Sequence, residues 1–329
     1  MLFVLFTLFF TAAVSTILAA IALSRYADEL SGKTSLGGLL VGTVFLAGAT
    51  SLPEVTTSLS AVFIGNPDIA IGNMIGSNMF NLFIIACFDV WYRKIRLYQS
   101  VSSEHKYTAG LGLLLSLMLL LALTRQSAYT VYGIGSDTLF IAFACILGMY
   151  IVSRISHPET LETNQEPAGS LNAFSLKKTI TAFALMAVVI TGAGSMLSFT
   201  GDEIARVTGI DASFVGSFLL AATTSMPEAI AVLVALRLKN VNLALGSILG
   251  SNVFNILILT GSDVFYRQGP ILSEVSPILQ STSASTAILS SLLLLALLRR
   301  KRMPAFRYLI PSILIIVLYL YFSYFSFVS

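Results

Sequence analysis

Two short runs place the same chemistry in apolar surroundings. Thr50, Ser51, Pro53 and Glu54 stand in GATSLPEVT, and Thr224, Ser225, Pro227 and Glu228 stand in ATTSMPEAI. Residues three and four apart share a helix face, so each Thr, Ser and Glu set presents its oxygens together. Proline has no N–H for the carbonyl four residues earlier, here Ala49 and Thr223, and its ring strains the helix. A carboxylate at the centre of a bilayer costs at least ~2.5–3.5 kcal/mol on insertion scales. Carboxylates, hydroxyls and released carbonyls together make an all-oxygen ligand set, which hard cations such as Ca²⁺ and Na⁺ require. Downstream of each run lies a second polar pair, Ser77 with Asn81 and Ser251 with Asn255, each four apart on one face. Gly72 with Gly76 and Gly246 with Gly250 give small-xxx-small surfaces that let helix backbones approach closely. That approach would bring the Ser and Asn oxygens up to the glutamates.

The elements that must hold these residues are written twice. Residues 47–93 and 221–267 align without a gap at an offset of 174, with 20 of 47 positions identical. Apolar runs of spanning length fall near 2–23, 36–63, 68–91, 107–124, 131–153, 178–200, 212–236, 241–265, 275–298 and 305–327. Ten spans predict an all-α membrane protein of two five-helix repeats, 1–153 and 178–329, joined by a polar cytoplasmic linker at 154–177. Five is odd, so the second repeat enters the membrane from the opposite side. That inverted-topology layout puts a substrate site at the repeat interface, near the midplane.

Composition excludes a soluble domain: of 329 residues, 56% are hydrophobic and only 11% charged, against about 25% charged in soluble proteins. Its partner is the lipid bilayer; nothing points to nucleic acid or to an obligate protein partner. The 19 Lys and Arg residues divide 16 to 3 between the two sides, the minority being Arg125, Arg206 and Arg267. Positive residues favour the cytoplasm, so both termini are expected outside it. The basic run at 299–302 reads as a topology determinant. Residues 1–23 lack a basic leading segment and are long enough to span, which argues against a cleaved signal peptide. Two cysteines, Cys87 and Cys145, sit in apolar stretches as core filler, and His105 and His157 read as residues of polar connections. No soft-metal site and no resident cofactor is indicated.

Taken singly, the proline would be a kink, the hydroxyls inter-helical glue, and a glutamate a protonated, hydrogen-bonded group. A Pro-Glu pair repeated at inverted positions favours an ion site. Asp89 and Asp263 also repeat, at span ends, and are expected to pair with Arg93 and Arg267. Asp68, Asp137, Asp202 and Glu203 read as loop or span-end charges. Two ionised glutamates carry −2, which one Ca²⁺ balances, as would two H⁺ or about two Na⁺. Occupants that compete for the same ligands produce exchange. A channel would pass ions without a counter-ion and ranks lower. An enzyme ranks lower still: no HExxH pattern and no Ser/His pair lies in the spans.

TSLPE and TSMPE, each followed by GSN-x-FN, resemble the two α-repeats of the sodium/calcium exchangers within the cation/Ca²⁺ antiporter superfamily. The motifs cover about 94 residues directly, and the short linker is similar to that of microbial members. The resemblance implies ion sites among the second, third, seventh and eighth spans. Glu54 and Glu228 would hold Ca²⁺ with oxygens of Thr50 and Thr224. Ser51, Ser77, Ser225 and Ser251, with the carbonyls of Ala47 and Ala221, would contribute Na⁺ sites. The first and sixth spans would slide across this core to alternate access, in a prokaryotic plasma membrane. One departure concerns Asn81 and Asn255: microbial exchangers commonly carry Asp at one of these positions. Asparagine offers an oxygen without charge or proton, which opens H⁺ coupling and argues against K⁺ co-transport. Ala49 and Thr223 also stand where Gly is usual. The Gly-Asn-x-x-Glu pattern of the proton/Ca²⁺ branch is not matched by ATSLPE, so Na⁺/Ca²⁺ exchange ranks above H⁺/Ca²⁺ exchange.

Overall fold

The computed structural model describes residues 2–33, 50–155, 175–299 and 304–328. Its helices are α1 Leu2–Lys33, α2 Leu52–Phe63, α3 Pro67–Trp91, the short α4 Leu97–Ser100, α5 His105–Arg125, α6 Ser136–Ile155 and α7 Leu176–Thr208. They are followed by α8 Ala212–Phe214, a π-helical segment Val215–Leu220, α9 Ala221–Thr224 and α10 Met226–Arg237. The chain closes with α11 Val241–Asp263, α12 Ile278–Leu298 and α13 Ala305–Val328. Among the described residues, nine helices are long and apolar enough to cross a membrane. Of the second expected span, 36–63, only residues from 50 onward are described. Ala47, His157, most of the linker and most of the basic run at 299–302 lie outside the described residues. Residues 131–135, expected to begin a span, instead form a two-stranded hairpin, β1 Thr130–Val131 and β2 Ile134–Gly135, ahead of α6. Gly133 at its turn takes a positive φ of 82°, which breaks the helical run.

At the centre lies α3, buried along nearly its whole length and packed on α2, the π segment, α11, α12 and α13. A helix covered on every side needs no polar face, which is why its sequence shows no amphipathic stripe. Its start is set by Asn66, whose side chain accepts the Ile69 N–H at 3.1 Å, with Pro67 at the first helical position. The repeat copy, Asn240, accepts the Leu243 N–H at 2.9 Å at the start of α11. These two helices run antiparallel. Phe63, just before α3, stacks edge-on to Phe265 just past α11, with ring centroids 6.1 Å apart. At the other end, Asn242 at the start of α11 accepts the Ser102 N–H at 2.7 Å, beyond the end of α3. Outside this core, the long helices α1 and α7 pack along each other, and α7 also lies against α2.

Asp89 and Asp263 do not pair with Arg93 and Arg267; each carboxylate ties its own repeat to a helix of the other. Asp89 accepts the Leu97 N–H at 3.1 Å, the Ser312 hydroxyl at 2.6 Å and the Tyr308 hydroxyl. Asp263 accepts the Ile271 N–H at 2.8 Å, the Gly135 N–H at 2.7 Å and the Thr138 hydroxyl at 2.5 Å. Leu97 and Ile271, Thr138 and Ser312, and Asp89 and Asp263 are all 174 apart, so the two ties are copies. A buried carboxylate with three donors is satisfied where an arginine reaching in from the surface would be desolvated. Burial, and then the Asp89 charge, hold the neighbouring Tyr98 phenol above its ordinary range, so it stays neutral. Asp89→Ala should strand three donors and Asp263→Ala the Ile271 and Gly135 N–H groups, the Thr138 hydroxyl keeping the Gly135 carbonyl at 2.7 Å, and each should lower the melting temperature of purified protein markedly. Arg93→Ala and Arg267→Ala should leave it unchanged; the reverse pattern would restore the ion-pair reading.

Candidate cation site

The two motif helices break at the same residue. Ser51 has φ −88° and ψ 6°, Ser225 has φ −87° and ψ 3°, and a new helix starts directly after each. Pro53 and Pro227 therefore sit in a first turn, where a missing N–H costs nothing, rather than kinking a continuous helix. Glu54 and Glu228 fall in the same first turns, where the positive end of the helix dipole favours an anion. Broken helices of this kind are tolerated at membrane depth only where protein buries them or a cavity runs beside them. The Thr223 carbonyl, expected to stand free, is approached by the Ser225 N–H, which also reaches the Ala221 carbonyl.

Upstream of Ser225, the π segment presses its backbone onto α3. A Cβ added at Gly72 would lie 3.0 Å from the Ser213 carbonyl, and one added at Gly76 would overlap the Ser217 backbone. Gly216 lies equally close to α3, at the Ile69 carbonyl. The glycine pair of α3 thus acts as expected, though its neighbour is the π segment. In the second repeat, the space at Gly246 meets the His105 ring, at 3.0 Å. His105 is accordingly a half-buried residue opening α5, and not the solvated loop residue its sequence context suggested.

Where α3 and α11 cross, four asparagines bond reciprocally. Asn78 Nδ2 donates to the Asn252 carbonyl at 3.0 Å, and Asn252 Nδ2 to the Asn78 carbonyl at 3.3 Å. Asn81 Nδ2 donates to Asn252 Oδ1 at 2.9 Å, and Asn255 Nδ2 to Asn78 Oδ1 at 3.0 Å. With their nitrogens engaged, Asn81 and Asn255 keep their Oδ1 atoms buried and without a hydrogen-bond partner. Asn78 and Asn252 were not singled out by the sequence reading. The signal was present, since both belong to the repeated GSN-x-FN, but only the crossing shows that they orient Asn81 and Asn255.

Glu54 and Glu228 are each about 1% exposed, and their charges are close enough to repel. Glu54 Oε1 accepts the Ser225 hydroxyl at 3.1 Å; Glu54 Oε2 and both oxygens of Glu228 have no hydrogen-bond partner. Ser51 lies near Glu228 without its Oγ making a hydrogen bond. Thr224 Oγ1 is 3.5 Å from Ser77 Oγ across the two repeats. Thr50, Ser77, Ser251 and Ala221 are likewise buried. Among the described residues no third carboxylate, histidine or cysteine joins the pair. An orphaned buried carboxylate oxygen is costly, and a hard cation satisfies carboxylate, amide and hydroxyl oxygens at once. The donor set fits Ca²⁺ or Na⁺ and offers nothing to a soft metal. Asn73, also missed, is buried beside Thr224.

Residues 3–152 and 178–328 match the family described as sodium/calcium exchanger protein. The chain belongs to that family. Among curated relatives, it is 25% identical over 272 residues to the inner membrane protein YrbG of Escherichia coli (strain K12), covering 81% of this chain and 79% of the relative. Its fold is that of the H⁺/Ca²⁺ exchanger CAX, with a TM-score of 0.66 at 16% identity over 98% of this chain and 88% of that one. The sodium-calcium exchanger NCX_Mj superposes with a TM-score of 0.59 at 19% identity, over 98% of each chain. This exchanger-family chain is therefore a helical, multi-pass integral membrane protein carrying two copies of the family repeat.

Two uncompensated carboxylates weaken a fold unless a cation binds, which sets a sign for substitution. Glu228→Gln should melt no lower than wild type in chelator, and should lose the rise in melting temperature that Ca²⁺ gives wild type. A large loss of stability in chelator would instead make Glu228 a structural residue.

Proposed function

We propose that the chain is a secondary antiporter that exchanges Ca²⁺ for Na⁺ by alternating access at one buried site. The observation that carries this reading is the pair Glu54 and Glu228, buried at the junction of the two repeats with three of four carboxylate oxygens lacking a donor. Glu54 and Glu228 hold Ca²⁺, with oxygens of Thr50 and Thr224. Ser51, Ser77, Ser225, Ser251, Asn81 and Asn255 add neutral oxygens for Na⁺, with the Ala47 and Ala221 carbonyls. Ca²⁺ seeks six to eight oxygens, and the unpaired oxygens of Glu54, Glu228, Asn81, Asn255 and Ser51 supply most of that number. Because both cargos draw on the glutamates, they exclude one another, and transport of one requires release of the other.

The architecture we propose is two five-helix repeats, 1–153 and 178–329, in inverted topology, with 154–177 as a cytoplasmic linker. Antiparallel α3 and α11 and the reciprocal asparagine bonds support a two-fold relation of this kind. The ends of the bundle also differ in charge. Arg93, Lys94, Arg96, Lys106, Arg237, Lys239 and Arg307 gather near Asp89, while Arg125, Arg206 and Arg267 occupy the opposite end. That asymmetry supports cytoplasmic placement of the first group and of the linker, with both termini on the other side of an inner membrane. The packing of α1 along α7, and of α7 on α2, supports movement of these two helices across the core.

H⁺/Ca²⁺ exchange is the second reading, favoured by Asn81 and Asn255, which leave the site with two carboxylates. Radiolabelled Ca²⁺ uptake into proteoliposomes loaded with Na⁺, against vesicles carrying only an inside-acid gradient, separates the two. We expect uptake driven by Na⁺ and abolished in Glu54→Gln. Uptake driven only by the pH gradient would give the second reading, and uptake without any counter-cation would make the protein a channel.

A further inference from the structure

One buried polar chain next to the glutamates has a single direction. The Thr224 hydroxyl donates to Asn73 Oδ1 at 3.2 Å, Asn73 Nδ2 donates to Ser58 Oγ at 3.1 Å, and the Ser58 hydroxyl donates to the Ala70 carbonyl at 3.3 Å. Ser58, Asn73 and Thr224 show no exposure to solvent. The chain links the seventh span to α3 and α2.

A hydroxyl has one proton and two lone-pair positions. The proton of Thr224 has competing acceptors: the Ala221 carbonyl lies 3.4 Å from Oγ1, and the Glu54 carboxylate also faces it. Both are oxygens that the proposed exchange needs for the cation. A proton sent to either one occupies a lone pair that would otherwise face the ion, and it turns the Thr224 lone pairs away as well. Asn73 Oδ1 lies nearer to Thr224 Oγ1 than the Ala221 carbonyl does, and it stays in place because Ser58 holds its nitrogen. The repeat copy of Asn73 is Ser247, which carries no amide.

We infer that Asn73 is a positioning residue: by taking the Thr224 hydroxyl proton it leaves the oxygens of Thr224, Ala221 and Glu54 free for the cation. This rests on the cation-site reading above, and the test separates the two. Ca²⁺ binding to the purified full chain in detergent is titrated calorimetrically for wild type, Asn73→Ala, Asn73→Ser, Thr224→Val and the double variant Asn73→Ala with Thr224→Val. Melting temperatures in chelator accompany each. Loss of one neutral hydrogen bond should weaken Ca²⁺ binding in Asn73→Ala by roughly three- to tenfold. The double variant should bind no more weakly than Thr224→Val alone, because the proton Asn73 takes is then absent. Should Asn73→Ala not fold, Asn73→Ser carries the same expectation at full chain length. Unchanged affinity in the Asn73 variants, or losses that simply add in the double variant, would overturn the inference and leave Asn73 a packing residue. Wild-type protein that binds no Ca²⁺ at all would overturn the cation-site reading instead.

Discussion

The structure turns on the cost of burying two carboxylates side by side. Glu54 and Glu228 are out of contact with solvent, close enough to repel, and served by a single side-chain hydroxyl donor between them. Isolated charges in such surroundings are strongly unfavourable, and like charges more so. Every device around them reduces that cost without supplying a counter-charge of the protein's own. Helix breaks at Ser51 and Ser225 aim positive helix ends at the glutamates. Asn78 and Asn252 occupy the nitrogens of Asn255 and Asn81, so that oxygens are left over. Among the described residues, no lysine or arginine forms an ion pair with either glutamate. What remains is a demand for positive charge, and on the proposed exchange a mobile cation meets it.

Precision in the site follows from how tightly its helices are held. Glycines at 72, 76 and 216 bring the π segment to backbone contact with α3, which fixes Thr224 relative to Ser77. π-helical turns inside a helix are frequent at functional positions, and this one directly precedes the second motif. At the bundle ends, the Asp89 and Asp263 ties bind each third helix to the last helix of the other repeat. The core is thereby a closed unit, with α1 and α7 packed outside it.

Much of this was legible in the chain itself, because Glu, Pro and paired Ser and Asn are conspicuous in apolar runs and their repetition at one offset excludes coincidence. Span positions were legible for the same reason, to within a few residues at most ends. Partners were not. Asp89 finds Tyr308 and Ser312, and Asp263 finds Gly135 and Thr138, from more than a hundred residues away and with side chains that differ between the copies. An arginine four residues along was the only partner that local spacing could offer. The π segment VGSFLL has no sequence mark separating it from ordinary helix, and the hairpin at 130–135 hid within an apolar run. Asn78 and Asn252 were in plain view, but a residue that orients another through its own backbone carbonyl and side chain cannot be told by type from one that ligates.

The proposed exchange requires both cargos to use the same two glutamates. Equilibrium binding of radiolabelled Ca²⁺ to purified wild-type protein, titrated against Na⁺ at constant ionic strength, tests it most directly. The account predicts that added Na⁺ raises the Ca²⁺ concentration needed for half-saturation and leaves the number of sites unchanged. Ca²⁺ binding indifferent to Na⁺ and equally indifferent to pH would contradict it, since no second cargo would then be sharing the site.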